Sequence, residues 1–416
     1  MKMVTRFSRG VCLLAVLWLG GTVAAYAEQT PSLQWTMQVL AVDSNEGLEL
    51  ADFNGNGLLD VVAGRNWYAA PDFVPRPVRT IEDWSGYVQS NGDYAYDVDG
   101  DGLIDVIAGS FVPTEVYWYK NPGPELLMQG KMWERHLLVD TETSHNEGQL
   151  LYDLDGDGVP EWIVNSWRKN SPMHVWKFTT EEREVVIQQG NKPRTEIREV
   201  PSMRKIVINQ EGNAHGIAVG DINNDGRVDI LTGMGWYEAP ESDPMAGNWK
   251  FHQDWDMQGS IPMIVRDLDG DGRNDLIWSQ SHRHGLYWWQ QLPPGEDGKL
   301  RFKEHLIDDQ WSQPHCLHMA DLDGDGQEEL ITGKRVFAHN GRDPGAFDPP
   351  CLYYYKWHPD KLEFSRHEIN VGDAGGGLQI RTGDLNGNGR LDVAVAGKSG
   401  TYIFFNQGFA DSPDAN

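Results

Sequence analysis

Short apolar runs, each led in by an acidic segment rich in glycine, recur along the whole chain. In the first of them, Leu59-Asp60-Val61-Val62-Ala63 follows a segment that opens at Asp52. The pattern returns seven times: an acidic residue at positions 1 and 9, Asp or Asn at 3 and 5, Gly at 6, then the apolar run. It opens at Asp52, Asp97, Asp153, Asp221, Asp267, Asp321 and Asp384. A few apolar residues bounded by turn formers predict a strand, so each unit reads as strand, loop, strand. An aromatic third strand follows, as in Val116-Tyr117-Trp118-Tyr119, Leu286-Tyr287-Trp288-Trp289 and Leu352-Tyr353-Tyr354-Tyr355. A fourth carries an aromatic-x-x-His pattern from Trp133 to His136, Trp249 to His252 and Phe364 to His367.

The loop openings lie 45, 56, 68, 46, 54 and 63 residues apart. That period suits one four-stranded blade, so the chain is expected to be an all-β seven-bladed β-propeller. The last unit runs out after its third strand, Tyr402 to Phe405, while Trp35 to Val39 precedes the first loop without a partner. Pairing the two would close the ring with an N-terminal strand and remove exposed sheet edges. The interval from Ser171 to Gln210 is long enough for an extended hairpin on the third blade. With no interdomain linker in view, residues 28–416 are expected to form a single propeller domain.

Met1 to Ala27 read as a secretory signal, with Lys2, Arg6 and Arg9, an apolar run from Val11 to Leu19, and Ala25-Tyr26-Ala27 before the expected cleavage after Ala27. No later run reaches the roughly 18 apolar residues of a spanning helix. The expected location is the periplasm or outside the cell. A net charge of −27 argues against a phosphate backbone as partner. Once Cys12 leaves with the signal, Cys316 and Cys351 remain, too few for a disulfide scaffold, and their pairing stays open.

Oxygen ligands at alternate positions with a Gly for the sharp turn are what a hard cation such as Ca²⁺ requires. The candidate ligands are Asp52, Asn54, Asn56 and Asp60 in the first loop and Asp97, Asp99, Asp101 and Asp105 in the second. The third offers Asp153, Asp155, Asp157 and Glu161, and the fourth Asp221, Asn223, Asp225 and Asp229. The fifth offers Asp267, Asp269, Asp271 and Asp275, the sixth Asp321, Asp323, Asp325 and Glu329, and the seventh Asp384, Asn386, Asn388 and Asp392. An EF-hand is excluded, because position 12 is Ala63, Ala108, Val164 or Thr232 instead of a bidentate Glu. So many carboxylates would repel one another unless neutralised, which favours metal over plain Asp-Gly turns in most loops. The Asn-softened first and last loops are those expected to be empty.

On these loops the chain resembles the FG-GAP or VCBS repeats of integrin-type seven-bladed propellers over essentially residues 28–416. Other stretches, His215-Gly216-Ile217, Gly235-Trp236-Tyr237-Glu238, Gly333-Lys334-Arg335 and Ala338-His339, resemble an enzyme-like group akin to the propeller of aldos-2-ulose dehydratase. Ulvan lyases are similar in fold. The resemblance implies elimination chemistry on carbohydrate; integrin-type relatives imply that the fold alone does not dictate catalysis.

The repeats also act as an internal control, since a residue type recurring at equivalent positions is scaffold. His136, His252, His305 and His367 recur in fourth strands and read as structural. The aromatic third strands read as interblade packing. Six residues before each loop lie Glu46, Asn91, Glu147, His215, Ile261, His315 and Leu378; eight before lie Ser44, Gln89, His145, Asn213, Gly259, Gln313 and Gly376. A two-residue period puts both sets on one face at the end of the inner strand away from the loops. The return strand brings Arg65, Arg168, His282, His284, Lys334 and Arg335 to the same rim, with His339 just beyond.

Packing beside a propeller axis does not require His and Glu, so the rim is the candidate site. His215 and His315, with His145 or Glu147, are either a transition-metal cluster suited to Zn²⁺ or Mn²⁺ or an acid/base pair; Lys334, Arg335 and Arg168 are charge stabilisers. Trp167 and Trp311, which do not recur, are sugar-stacking candidates, and Cys316 is read as a small buried hydrophobe. The leading expectation is a carbohydrate lyase or dehydratase acting on a keto-sugar or uronate. The alternatives are a non-catalytic calcium-stiffened propeller that binds a glycan or protein, and a glycoside hydrolase using Glu46 and Glu147.

Overall fold

The computed structural model describes residues 32–189 and 192–410. The secretory segment expected over residues 1–27 lies outside them. Seven four-stranded antiparallel sheets account for nearly all the ordered backbone, with one two-stranded hairpin at Asp83–Trp84 and Tyr87–Val88. Their innermost strands are Leu48–Ala51, Gly92–Tyr96, Asn146–Tyr152, Ile217–Gly220, Ile264–Arg266, Pro314–Ala320 and Gln379–Gly383. Each packs beside its neighbours in chain order, and the first lies against the last, which makes a ring of seven blades. Among the described residues, helix is confined to Pro124–Met128 and two 3₁₀ turns, and no helix is long and apolar enough to cross a membrane.

In the seventh sheet the strand Leu33–Ala41 runs antiparallel to Gly400–Phe409, with Thr36 opposite Phe405 and Val39 opposite Tyr402. The third blade carries the long hairpin, Ser171–Gln189 paired with Lys192–Asn213. Cys316 and Cys351 are both free and buried.

Every acidic loop turns from a first strand into a second, and its backbone explains the residue choice. Position 4 as well as position 6 is left-handed, for example Gly100 (φ 73°) and Gly102 (φ 85°); in the fourth loop Asn224 (φ 60°) takes the former place. The position 1 carboxylate accepts from the amides of positions 4 to 6, as Asp97 does from Gly100, Asp101 and Gly102. The position 9 acid is buried in all seven loops. Burial raises its protonation range, to about 7 in Asp60, Asp105, Asp229 and Glu329.

The recurring histidines stack on the third strand of their own blade. Trp118, Trp236, Trp288 and Tyr354 sit directly opposite His136, His252, His305 and His367. The ring centroids are 4.7, 4.1, 4.3 and 4.8 Å apart. These are cross-strand packing pairs.

Candidate functional site at the propeller mouth

Four of the seven residues placed six before a loop converge at one mouth of the channel. Glu46, Glu147, His215 and His315 come from blades one, three, four and six, and all are buried. Ile261 and Leu378, the apolar members of that set, belong to one buried apolar cluster. Arg335 joins the acids: its Nε and Nη2 donate to Glu46 at 2.6 and 2.8 Å and its Nη1 to Glu147 at 2.9 Å. Burial alone would raise Glu46, but the Arg335 guanidinium wins and holds it down at about 2. Glu147 is likewise held well below the usual range: its burial is outweighed by the adjacent His215, His315 and Arg335.

The imidazoles complete the cluster. His215 Nε2 lies 3.2 Å and His315 Nε2 3.4 Å from the Glu147 carboxylate. His282, from the turn after the second strand of blade five, places its Nε2 3.2 Å from His215 Nε2. One donor atom from each of Glu147, His215, His282 and His315 falls within a 4.8 Å span. The outer nitrogens are engaged: His215 Nδ1 with the Gly259 carbonyl at 2.8 Å and His282 Nδ1 with Asp343 at 3.2 Å. Each Nδ1 therefore donates to its acceptor, and the two Nε2 atoms face one another and the Glu147 carboxylate. Burial first, and the Arg335 charge second, pushes His315 down to about 3, and burial pushes His282 down to about 2. His315 is fully buried with neither ring nitrogen in a hydrogen bond. One carboxylate with three imidazoles converging on one point is a donor set that could hold zinc or a similar ion.

Beside the cluster opens a cavity of about 300 Å³, walled by Trp84, Tyr87, Phe111, His339, Arg342 and Lys398 together with Glu46, Glu147 and Arg335. The hairpin after blade one delivers Trp84 and Tyr87, whose rings meet edge to face at 5.5 Å. Lys398 Nζ sits 4.3 Å from the Tyr87 ring centroid, and burial lowers its protonation range. His339 stacks on His282 at 4.5 Å, and its Nδ1 lies 2.9 Å from the same Asp343 that holds His282.

The remaining expected residues do not join the cluster. Lys334 is buried in its blade, donating to Ser312 Oγ at 2.6 Å and the Gly345 carbonyl at 2.5 Å. Arg168 lines a separate cavity of about 300 Å³ with Asn146 and Asn213, and His284 is exposed at a strand start. His145 is left-handed (φ 68°) and packs against Phe111 at 5.0 Å and Trp167 at 5.6 Å. Trp167 is exposed, whereas Trp311 is buried with its Nε1 donating to Tyr355 at 2.8 Å, so Trp311 offers no face to a sugar. Asp343 lies in the irregular segment between Lys334 and Cys351, where no repeat signal exists. Lys398 is different: it ends a second strand as Arg65 and Arg335 do, so the same rule could have found it.

Residues 153–232 and 267–332 match the family described as FG-GAP-like repeat, which agrees with the seven-bladed propeller fold. No curated protein matches the sequence. Among solved structures, an Agrocybe aegerita protein described as recognising non-reducing terminal N-acetylglucosamine is 17% identical, with a TM-score of 0.45, over 88% of this chain and 86% of that one. The exotype rhamnogalacturonan lyase YesX is 13% identical, with a TM-score of 0.48, over 92% and 75%. BBS1N in complex with ARL6DN is 12% identical, with a TM-score of 0.44, over 90% and 96%.

Proposed function

We propose that the mouth is a metal-assisted active site of an exported carbohydrate lyase or dehydratase, eliminating across a carbon–oxygen bond of a keto-sugar or uronate. The observation that carries this reading is the convergence of His215 Nε2 and His282 Nε2, 3.2 Å apart, beside Glu147 and the unpartnered His315. Zinc or manganese held by these four would polarise the substrate's carbonyl or carboxylate. His339, oriented by Asp343, takes the proton alpha to that group. The beta carbon–oxygen bond then breaks as the double bond forms, and Lys398, whose ammonium burial makes a better acid, protonates the departing oxygen. Arg335 serves to keep Glu147 ionised and in place.

A glycoside hydrolase loses support, since Glu46 and Glu147 are both bound to Arg335 and held ionised, leaving neither as the acid for a leaving oxygen. A glycan-binding propeller keeps one favourable observation, the aromatic wall of Trp84, Tyr87 and Phe111. We further infer that calcium fills acidic loops. The buried Glu329 leaves Oε1 without a hydrogen bond there, a fit for a cation. The strand Leu33–Ala41 is taken to close the ring through its pairing with Gly400–Phe409.

The test is metal content by mass spectrometry followed by assay on glucuronate- and galacturonate-containing glycans for an unsaturated, ultraviolet-absorbing product. About one zinc or manganese per chain, lost together with product formation in His315→Ala, supports the reading. A metal-free mouth with full turnover overturns the metal; binding without product selects the glycan-binding propeller.

A further inference from the structure

The seven loops can be compared at a residue that sequence spacing alone does not align, the third-strand side chain facing position 9. Strand register identifies it in every blade, one step beyond pairs such as Tyr119 opposite Val106, Trp176 opposite Trp162 and Tyr355 opposite Leu330. In blades two, three and six it is Lys120, Lys177 and Lys356. These are three of the four loops that carry Asp at both positions 3 and 5. In the fourth such loop, on blade five, it is Gln290. Where position 3 is Asn, in blades one, four and seven, it is Ala69, Glu238 and Phe405. Lysine thus accompanies the extra carboxylate and is absent without it.

The ammoniums sit where a loop cation would. Lys120 Nζ pairs with Asp99 and, at 2.6 Å, with Asp101. Lys177 pairs with Asp155, with Asp157 at 2.7 Å and with Glu161 at 3.1 Å. Lys356 pairs with Asp323, with Asp325 at 2.7 Å, and stands 3.9 Å from Glu329. In blade five Gln290 Nε2 donates to Asp269 at 2.5 Å, and the cation is instead Arg273 of the loop itself, paired with Asp271. The Glu161 and Glu329 side chains are 0% and 1% exposed, and Oε1 of each faces the ammonium, within reach of Lys177 in the third loop but too far from Lys356 for a hydrogen bond in the sixth.

We propose that Lys120, Lys177 and Lys356 are resident counter-cations of the second, third and sixth loops, which calcium must displace. The counter-cation role stands alone; displacement rests on reading the loops as calcium sites. A divalent ion entering a lysine-filled loop has to break two or three ammonium–carboxylate pairs already made. The metal-free protein thereby keeps three of its most acidic turns neutralised.

The test uses calcium alone, titrated calorimetrically into the mature chain and its Lys120→Gln/Lys177→Gln/Lys356→Gln variant, with melting of both in chelator. The expected result is three sites that bind calcium roughly ten- to hundredfold tighter than the same loops do in the parent. In chelator the variant melts lower. Each lysine substituted singly should tighten one site, which keeps the test decisive if the triple variant folds poorly. Unchanged site number and affinity overturn the lysine role. If neither protein binds calcium, the calcium reading fails, and melting in chelator alone decides the lysines: a lower value in the variant supports them and an equal value overturns them.

Discussion

His215 and His282 meet nitrogen to nitrogen at 3.2 Å, each with its other nitrogen committed to an outer acceptor. Two ring nitrogens this close need either a shared proton or a metal between them. The two cases separate by titration with zinc alone. A bound metal predicts that His282→Ala and His215→Ala each weaken zinc binding by at least about tenfold, while the melting temperature of the metal-free protein barely moves. A shared proton predicts no zinc binding in the parent at all.

Asp343 touches both His282 and His339, at 3.2 and 2.9 Å. Through the first it fixes the tautomer that presents Nε2 to the cluster; through the second it holds the proposed base. Asp343→Asn should therefore weaken zinc binding by about 10- to 100-fold and lower kcat more than KM. A variant with parental zinc affinity and an unchanged pH profile would assign Asp343 to loop structure alone.

Arg335 is buried between two carboxylates, so its charge is compensated only while both remain. Glu46→Gln keeps the shape and removes one charge, and a stability loss of about 3 kcal/mol is expected from urea unfolding. Because Glu147 then carries the arginine alone, the variant should also bind zinc less tightly. A loss under about 1 kcal/mol would mean that Arg335 reaches solvent when Glu46 is neutral.

The ring and its site were legible in the sequence to different depths. Seven loops with one spacing rule define the blades, because each loop needs its carboxylates and glycines for its own backbone geometry. The residue six before each loop carries through to the site for the same reason. It lies at the start of the inner strand, within it at Glu147 and His315 and two residues ahead of it at Glu46 and His215, so the four share a direction. The rule fails two residues earlier, where the chain has left the sheet: His145 is left-handed and packs on Phe111 and Trp167. Lys334 and Arg335 are adjacent on a strand, so only one of them can face the mouth, and alternation does not say which. Asp343 and the Trp84 hairpin lie in insertions that no other blade repeats, and only the fold brings them to the cavity.

The last expectation concerns acid. His318 is half-buried in an inner strand, with Nε2 3.0 Å from Thr382 Oγ1 and the Arg381 guanidinium nearby, itself paired with Glu49. Burial first, and Arg381 second, lowers His318 from its ordinary range to about 4. A histidine lowered on folding contributes stability that is complete above its unfolded value, about 6.5, and is lost as pH falls toward its folded value. The parent should thus lose melting temperature between about pH 6.5 and 4, and His318→Gln, which keeps a hydrogen-bonding side chain but cannot titrate, should lose less over that window. Arg381 stays charged throughout it, so the difference between the two curves reports on His318. Parallel curves would show that this imidazole does not titrate against folding, and the acid sensitivity would have to be sought among His174 and the mouth histidines.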